Sequence, residues 1–269
     1  MSLCRICMQR VLLVVLTTLT AGCSTLPNGQ RWGEQVSFPT WDKLKSSAWK
    51  AARDPYTWAP LAGALVLSVG DLDEDLSDWA LREHPLFGSE SSADNASDTM
   101  AEGLAATAIV SALATPGGDS GTDWASAKLK GMLVETSAAV IAGSVTSALK
   151  NNTGRTRPDD SNDRSLPSAH ASAAASFATL TSRNIDAIDM SPTSRKVLKF
   201  STGTVAAATA WARVESRDHY PTDVLAGAAL GHFITAMIHD SMMGLDTPVQ
   251  VGVELDGKNG GMLTFHMPF

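Results

Sequence analysis

The chain of 269 residues predicts a mostly α fold, a bundle of about six core helices with a small C-terminal β-hairpin. Three observations point there. Apolar stretches recur near 59–70, 102–115, 131–149, 171–181, 199–213 and 224–238, each suited to a core helix rather than a strand. They are rich in Ala, Gly, Ser and Thr, most fall short of the roughly 20 residues that a membrane span needs, and mean hydropathy is near zero. Glu135 and His232 interrupt two of them, so the expectation is a water-soluble bundle of small residues, with partial embedding in a membrane left open. The tail changes period: Val249, Val251, Val253 and Leu255 alternate, Asp256 to Gly261 supplies a turn, and Leu263, Phe265, Met267 and Phe269 alternate again. Two strands cannot close a barrel, so the hairpin is expected to pack on the bundle or to pair with another subunit.

Residues 1–22 carry Arg5, Arg10, the apolar run Val11 to Leu16 and then Leu19-Thr-Ala-Gly22 before Cys23. A basic start, an apolar centre and small residues ahead of a cysteine describe a lipoprotein signal, with Cys23 as the lipidated first residue of the mature chain. An ordinary signal peptide or an N-terminal membrane anchor are the other readings of the same residues. Cys4 and Cys7 leave with such a signal, so the mature chain has no disulfide, and their spacing lacks a second ligand pair for a metal.

Residues 23–55 form a tether followed by a short amphipathic helix, Trp41 to Arg53, with Trp41, Leu44 and Trp49 near one face. That face can rest on a membrane surface or pack on the bundle. The helical domain spans 56–243 and the hairpin 244–269. Asp71, Asp73 and Asp75 resemble a calcium loop only in spacing, because Leu76 and Arg82 occupy the positions that need glycine and glutamate. Formal net charge is -7, which argues against nucleic acid as a partner.

Cations and histidines nevertheless concentrate in three short segments. Lys150 and Arg157-Pro158 are separated by six residues at a helix end. Pro167-Ser168-Ala169-His170 opens an Ala/Ser-rich helix, with Ser168 placed to cap it and free amides directed at an anion. Arg213 precedes His219, and Asp223 follows His219 by four residues, near enough to accept a hydrogen bond from the imidazole. Taken singly, each segment is also compatible with solvated helix ends. Together they supply three cations, two histidines and a carboxylate, the groups that a phosphate ester needs for binding and cleavage. Arg155 and Arg217 lie in the spacers as rim charges or plain surface, and the polar run 159–164 is a loop beside the site, able to gate it or merely solvated.

These segments resemble the type 2 phosphatidic acid phosphatase superfamily, which includes bacterial acid phosphatases and vanadium haloperoxidases. Its pattern is K-x6-R-P, P-S-G-H and S-R-x5-H-x3-D, in that order. Two positions depart: Ala169 stands in place of glycine, and Ala212 in place of the serine before Arg213, which is expected to lose a supporting hydrogen bond.

The resemblance implies that His219 is the nucleophile forming a phosphohistidine, that Asp223 orients it, and that His170 is the general acid and then base. It implies Lys150, Arg157, Ser168, Ala169 and Arg213 as the phosphate cradle, with no metal and no cofactor. The expected activity is hydrolysis of phosphate monoesters or pyrophosphates, lipid phosphates foremost, in the bacterial cell envelope on the periplasmic side, as an outer-membrane lipoprotein. Other readings are a vanadate-dependent haloperoxidase and a non-catalytic, phospholipid-binding envelope lipoprotein. Oligomeric state is not legible.

Overall fold

The computed structural model describes residues 25–26, 29–118 and 121–244, with the backbone alone of 250–256 and 260–266. The fold is mostly helical, as expected. Among the described residues there are eight helices: α1 (Trp41–Arg53), α2 (Pro55–Leu67), α3 (Leu72–Glu83), α4 (Glu90–Ala114), α5 (Gly121–Thr153), α6 (Ala169–Ala187), α7 (Pro192–Glu215) and α8 (Pro221–Met242). Their starts follow local chemistry. Thr40, Asp54, Ser89, Ser168 and Ser191 each turn a side-chain oxygen to a first-turn amide, and Pro55, Pro192 and Pro221 sit in first turns, where a missing N–H leaves no bond unmade. Helices α2 and α4 to α8 answer the six expected apolar segments, while the acid-rich α3 is an addition.

Helix α8 is the axis of the body, and α6 lies along it. Glycines set the approach: a Cβ on Gly227 would stand 2.4 Å from the Ser168 carbonyl oxygen, and one on Gly231 2.1 Å from that of Ser172. No larger residue lets the two backbones come so near. Helix α6 also meets α4, α5 and α7, and Ala138 and Ala142 of α5 pack on Ile234 and Ile238 of α8. The chain climbs α8 from its far end: Ser37 N–H donates to the Met242 carbonyl, Asp54 faces His232, Gly63 meets Leu225, and Asp73 reaches Thr222. At the other end α5 and α7 finish and α6 and α8 begin.

Four expectations change. The tether is tied down within its described part, because Trp32 is fully buried among Ala112, Val134 and Met243, over Gly131. On α1 the tryptophans face outward and Ser47 and Ala51 face the bundle, since the close approach to α8 admits only small side chains. The polar exterior expected of a soluble bundle is not met either. Trp58, Leu61, Leu65 and Val66 on α2, and Leu129, Leu133, Val140 and Leu149 on α5, are exposed. Helices α5 and α8 are both long and apolar enough to cross a membrane, but α8 is mostly enclosed in the bundle while α5 is mostly open. Finally, the fold established here is the helical body alone. Backbone pairing of Gln250–Asp256 (β1) with Gly260–His266 (β2) is antiparallel, and the hairpin as a packed unit stays an expectation. Residues 1–22 and Cys23 lie outside the described residues.

Candidate active site

The candidate residues from Lys150 to Asp223 meet at one end of the bundle, although they come from four helix ends and from the loop between α5 and α6 that carries Arg157. Lys150 is in the last turn of α5, Ser168 to His170 open α6, Arg213 is in the last turn of α7, and His219 and Asp223 flank the start of α8. Two helix N-termini therefore meet at the site; the first-turn amides of α8 are taken up by Asp73, Asp223 and the Tyr220 carbonyl, which leaves the start of α6 to favour an anion. Backbone ties hold the parts in register: Ser168 N–H donates to the Asp223 carbonyl at 3.0 Å, and His219 N–H to the Arg213 carbonyl at 3.1 Å. Ser168 caps α6 through its hydroxyl and is fully buried, while Ala169 is exposed at the first helical position, its methyl clear of the packing.

The two guanidiniums converge on one carboxylate. Arg157 meets Asp218 Oδ1 at 2.5 Å and Arg213 meets Asp218 Oδ2 at 2.6 Å. Arg213 also binds Asp94 at 2.6 Å and the Ser97 hydroxyl at 2.8 Å, both from α4. Ser97 thus supplies Arg213 with a hydroxyl although residue 212 is alanine, so the expected loss is offset from another helix. Lys150 is buried beside them and donates no hydrogen bond among the described residues. Burial, then the charges of Arg157, Arg164 and Arg213, bring its ammonium down to about 8. An anion entering this cluster would restore the charge balance.

His219 is 1% exposed, and its Nδ1 stands 3.8 Å from Asp223 Oδ2. That is an ion-pair approach and not the expected hydrogen bond, and Nδ1 has no hydrogen-bond partner among the described residues. Burial, reinforced by Lys150 and Arg157, holds the imidazole below its ordinary range, so it is neutral near pH 7 and has a free lone pair. Asp223 is fixed by the Ser165 hydroxyl at 2.5 Å, the Tyr220 N–H at 2.9 Å and Arg155 at 2.7 Å. Burial opposes its ionisation, but these donors and the adjacent imidazole keep the carboxyl below the usual range.

Arg155 is neither rim nor plain surface. It ties Asp223, Thr222 and Asp73 together at 2.7 Å each and stacks on Tyr220. Asp73 in turn accepts the Thr222 N–H at 2.8 Å, so α3 caps α8. The run 159–164 is an organised loop, pinned by Asp159 to Ser161 N–H, by Arg157 N–H to the Asn162 carbonyl, and by Ser165 N–H to the Arg155 carbonyl.

His170 is partly open, and its Nε2 lies 3.0 Å from Asp98 Oδ1. Burial, then the Arg213 charge, lower its proton affinity. Asp94, Ser97, Asp98, Glu215 and Asp218 escaped the sequence reading, and Asp73 enters it only as part of a rejected calcium loop. Only Asp218 had a local signal, by lying next to His219. Glu215 accepts the Leu86 and Phe87 amides and the Trp211 indole N–H, which closes the turn between α3 and α4.

Comparison with known proteins gives two results. Residues 133–244 match the model of the PAP2 superfamily, a stretch that contains every motif residue from Lys150 to Asp223. A solved structure, described as the first transmembrane PAP2 type phosphatidylglycerolphosphate phosphatase from Bacillus subtilis, superimposes with a TM-score of 0.49 and 19% identity over 73% of this chain and 94% of that one. No curated protein matches the chain.

Proposed function

Starting from a chain that carries a PAP2 superfamily domain over residues 133–244, we propose that it is a phosphatase acting on phosphate monoesters or pyrophosphates of membrane lipids. The observation that carries this reading is the closure of Arg157 and Arg213 on the two oxygens of one carboxylate, with Lys150 and a buried His219 alongside. Asp218 offers two oxygens where a phosphate offers three, and fixed cations there stabilise charge that grows during phosphoryl transfer.

In this scheme His219 attacks phosphorus through Nε2, because Nδ1 faces Asp223. The P–N bond forms as the ester P–O bond breaks, and protonated His170 gives its proton to the leaving oxygen. Water then attacks the phosphohistidine, loses a proton to His170 and releases phosphate. Asp223 stabilises the imidazolium that develops on His219. The exposed apolar faces of α2 and α5 support a body lying against a membrane, which favours lipid phosphates as substrates. Cys23 as a lipid attachment and an outer-membrane location on the periplasmic side belong to the same proposal.

The test is release of phosphate from an aryl phosphate and from detergent-dispersed lipid phosphates, with chelator present, by wild type and His219→Ala. Chelator-resistant turnover that vanishes in His219→Ala is expected, with the lipid substrates preferred. Full activity in His219→Ala would remove the nucleophile assignment, and a folded wild-type protein inactive on every substrate would remove the phosphatase reading.

A further inference from the structure

We propose that Asp98 on α4 is the positioning residue for His170, so that the site is built on two histidine–carboxylate pairs, His219–Asp223 and His170–Asp98. This rests on the phosphatase reading above. Asp98 lies outside both the motif segments and the matched stretch 133–244. It reaches the site through helix packing alone.

The placement is constrained. Arg213 grips Asp94 and the fully buried Ser97, which fixes both the rotation and the height of α4 against α7. Asp98 follows Ser97 directly and stands one turn from Asp94, so the same grip directs it to the neighbouring His170. Asp94 and Asp98 thus divide the work. One pairs with the phosphate-binding arginine, and the other with the acid–base histidine.

The geometry assigns the ring nitrogens. With Nε2 at 3.0 Å from a carboxylate oxygen, that nitrogen carries the proton and donates to Asp98. Nδ1 is then the nitrogen left for the reaction: as N–H in the imidazolium it protonates the leaving oxygen, and as a lone pair in the neutral ring it takes the proton of the attacking water. A carboxylate on the far nitrogen stabilises the charged form in the first step and fixes the tautomer in the second. The other charged groups facing His170 are Arg213 from α7, which opposes its protonation, and Asp218 from the turn after α7, which supports it. Burial also opposes protonation, so Asp98 is the carboxylate in direct contact that counters both.

Asp98→Asn keeps the shape and removes the charge. Full pH profiles of kcat and kcat/KM on a soluble aryl phosphate would be measured beside the histidine ring titrations followed by NMR, with His170 assigned from His170→Asn. The alkaline limb of kcat/KM reports the general acid, and Asp98→Asn is expected to move it to lower pH. The His170 titration should move in the same direction, kcat at the upper end should fall severalfold, and KM should hold. Asp98→Glu should restore the limb. An unmoved limb together with an unmoved His170 titration in Asp98→Asn would overturn the proposal. So would a loss of activity that Asp98→Glu shares while the limb stays in place, because that pattern is structural. If Asp98→Asn did not fold, Asp98→Ser would carry the same measurements. Should the protein prove to be no phosphatase, the NMR titration alone decides whether the two groups are coupled.

Discussion

Arg155→Gln is the sharpest test of how the site is held. The substitution removes three contacts of 2.7 Å, to Thr222 Oγ1, Asp223 Oδ1 and Asp73 Oδ2, and leaves two carboxylates that are 0% and 9% exposed. Breaking one side of a fully buried pair costs about 3–5 kcal/mol. Two features reduce that here. The Arg155 side chain is 30% exposed, so water already screens part of the interaction. Both carboxylates also keep other donors: Asp73 retains the Thr222 N–H at 2.8 Å, and Asp223 retains Ser165 and the Tyr220 N–H. The net loss should be about 2 kcal/mol, a fall in melting temperature of roughly 4–8 °C for a chain of this size. Asp223 contributes stability that is complete above its unfolded value and is lost as pH falls through its depressed folded value. The variant should therefore begin to unfold at a higher pH on acidification. Turnover should drop about tenfold or more with KM little changed, since Asp223 loses the cation that fixes its angle toward His219. Thermal and acid unfolding by circular dichroism, with kcat and KM on one ester, cover all of this. A variant that melts and turns over like wild type would refute the network argument, and one that loses only KM would return Arg155 to the rim as a substrate contact.

Three further outcomes follow from the same geometry. The bell-shaped kcat/KM profile should peak on the acid side of pH 6.5, because the nucleophile must be neutral, the acid protonated, and both histidines are held below 6.5; an optimum above pH 7 contradicts the pair. Gly227→Ala places a methyl 2.4 Å from the Ser168 carbonyl oxygen and should cost about 1–3 kcal/mol while lowering activity, as read by denaturant unfolding and turnover; a neutral variant would mean that α6 and α8 separate freely. Metabolic labelling with a fatty acid should mark the chain only while Cys23 is present, and label retained in Cys23→Ser would end the lipoprotein reading.

The chemistry of the site was legible because its residues sit in three short segments whose internal spacing one helix end or one turn can satisfy. Lys150 with Arg157, Ser168 with His170, and His219 with Asp223 are each local arrangements, so their spacing and the family resemblance single them out as candidates. The six apolar segments were legible for a similar reason, since a helix reports its own period. The groups that hold these residues in place were not. Asp73, Asp94, Ser97, Asp98 and Glu215 lie far along the chain from the atoms they bind, and an isolated carboxylate in an acidic protein has no mark that separates a buried tie from a solvated surface.

Facing was equally out of reach. Trp41 and Trp49 read as a face for either the bundle or a membrane surface, and the helix turned Ser47 and Ala51 to the bundle, because distance to α8 and not hydrophobicity decided which side fits. The same holds for α2 and α5, whose apolar residues face outward in a chain whose mean hydropathy looks ordinary. The sequence by itself determined the candidate groups, their order and the helical periods. Only the tertiary structure decided which carboxylate meets which cation and which apolar face stays open, because both depend on distances between helices that no local pattern encodes.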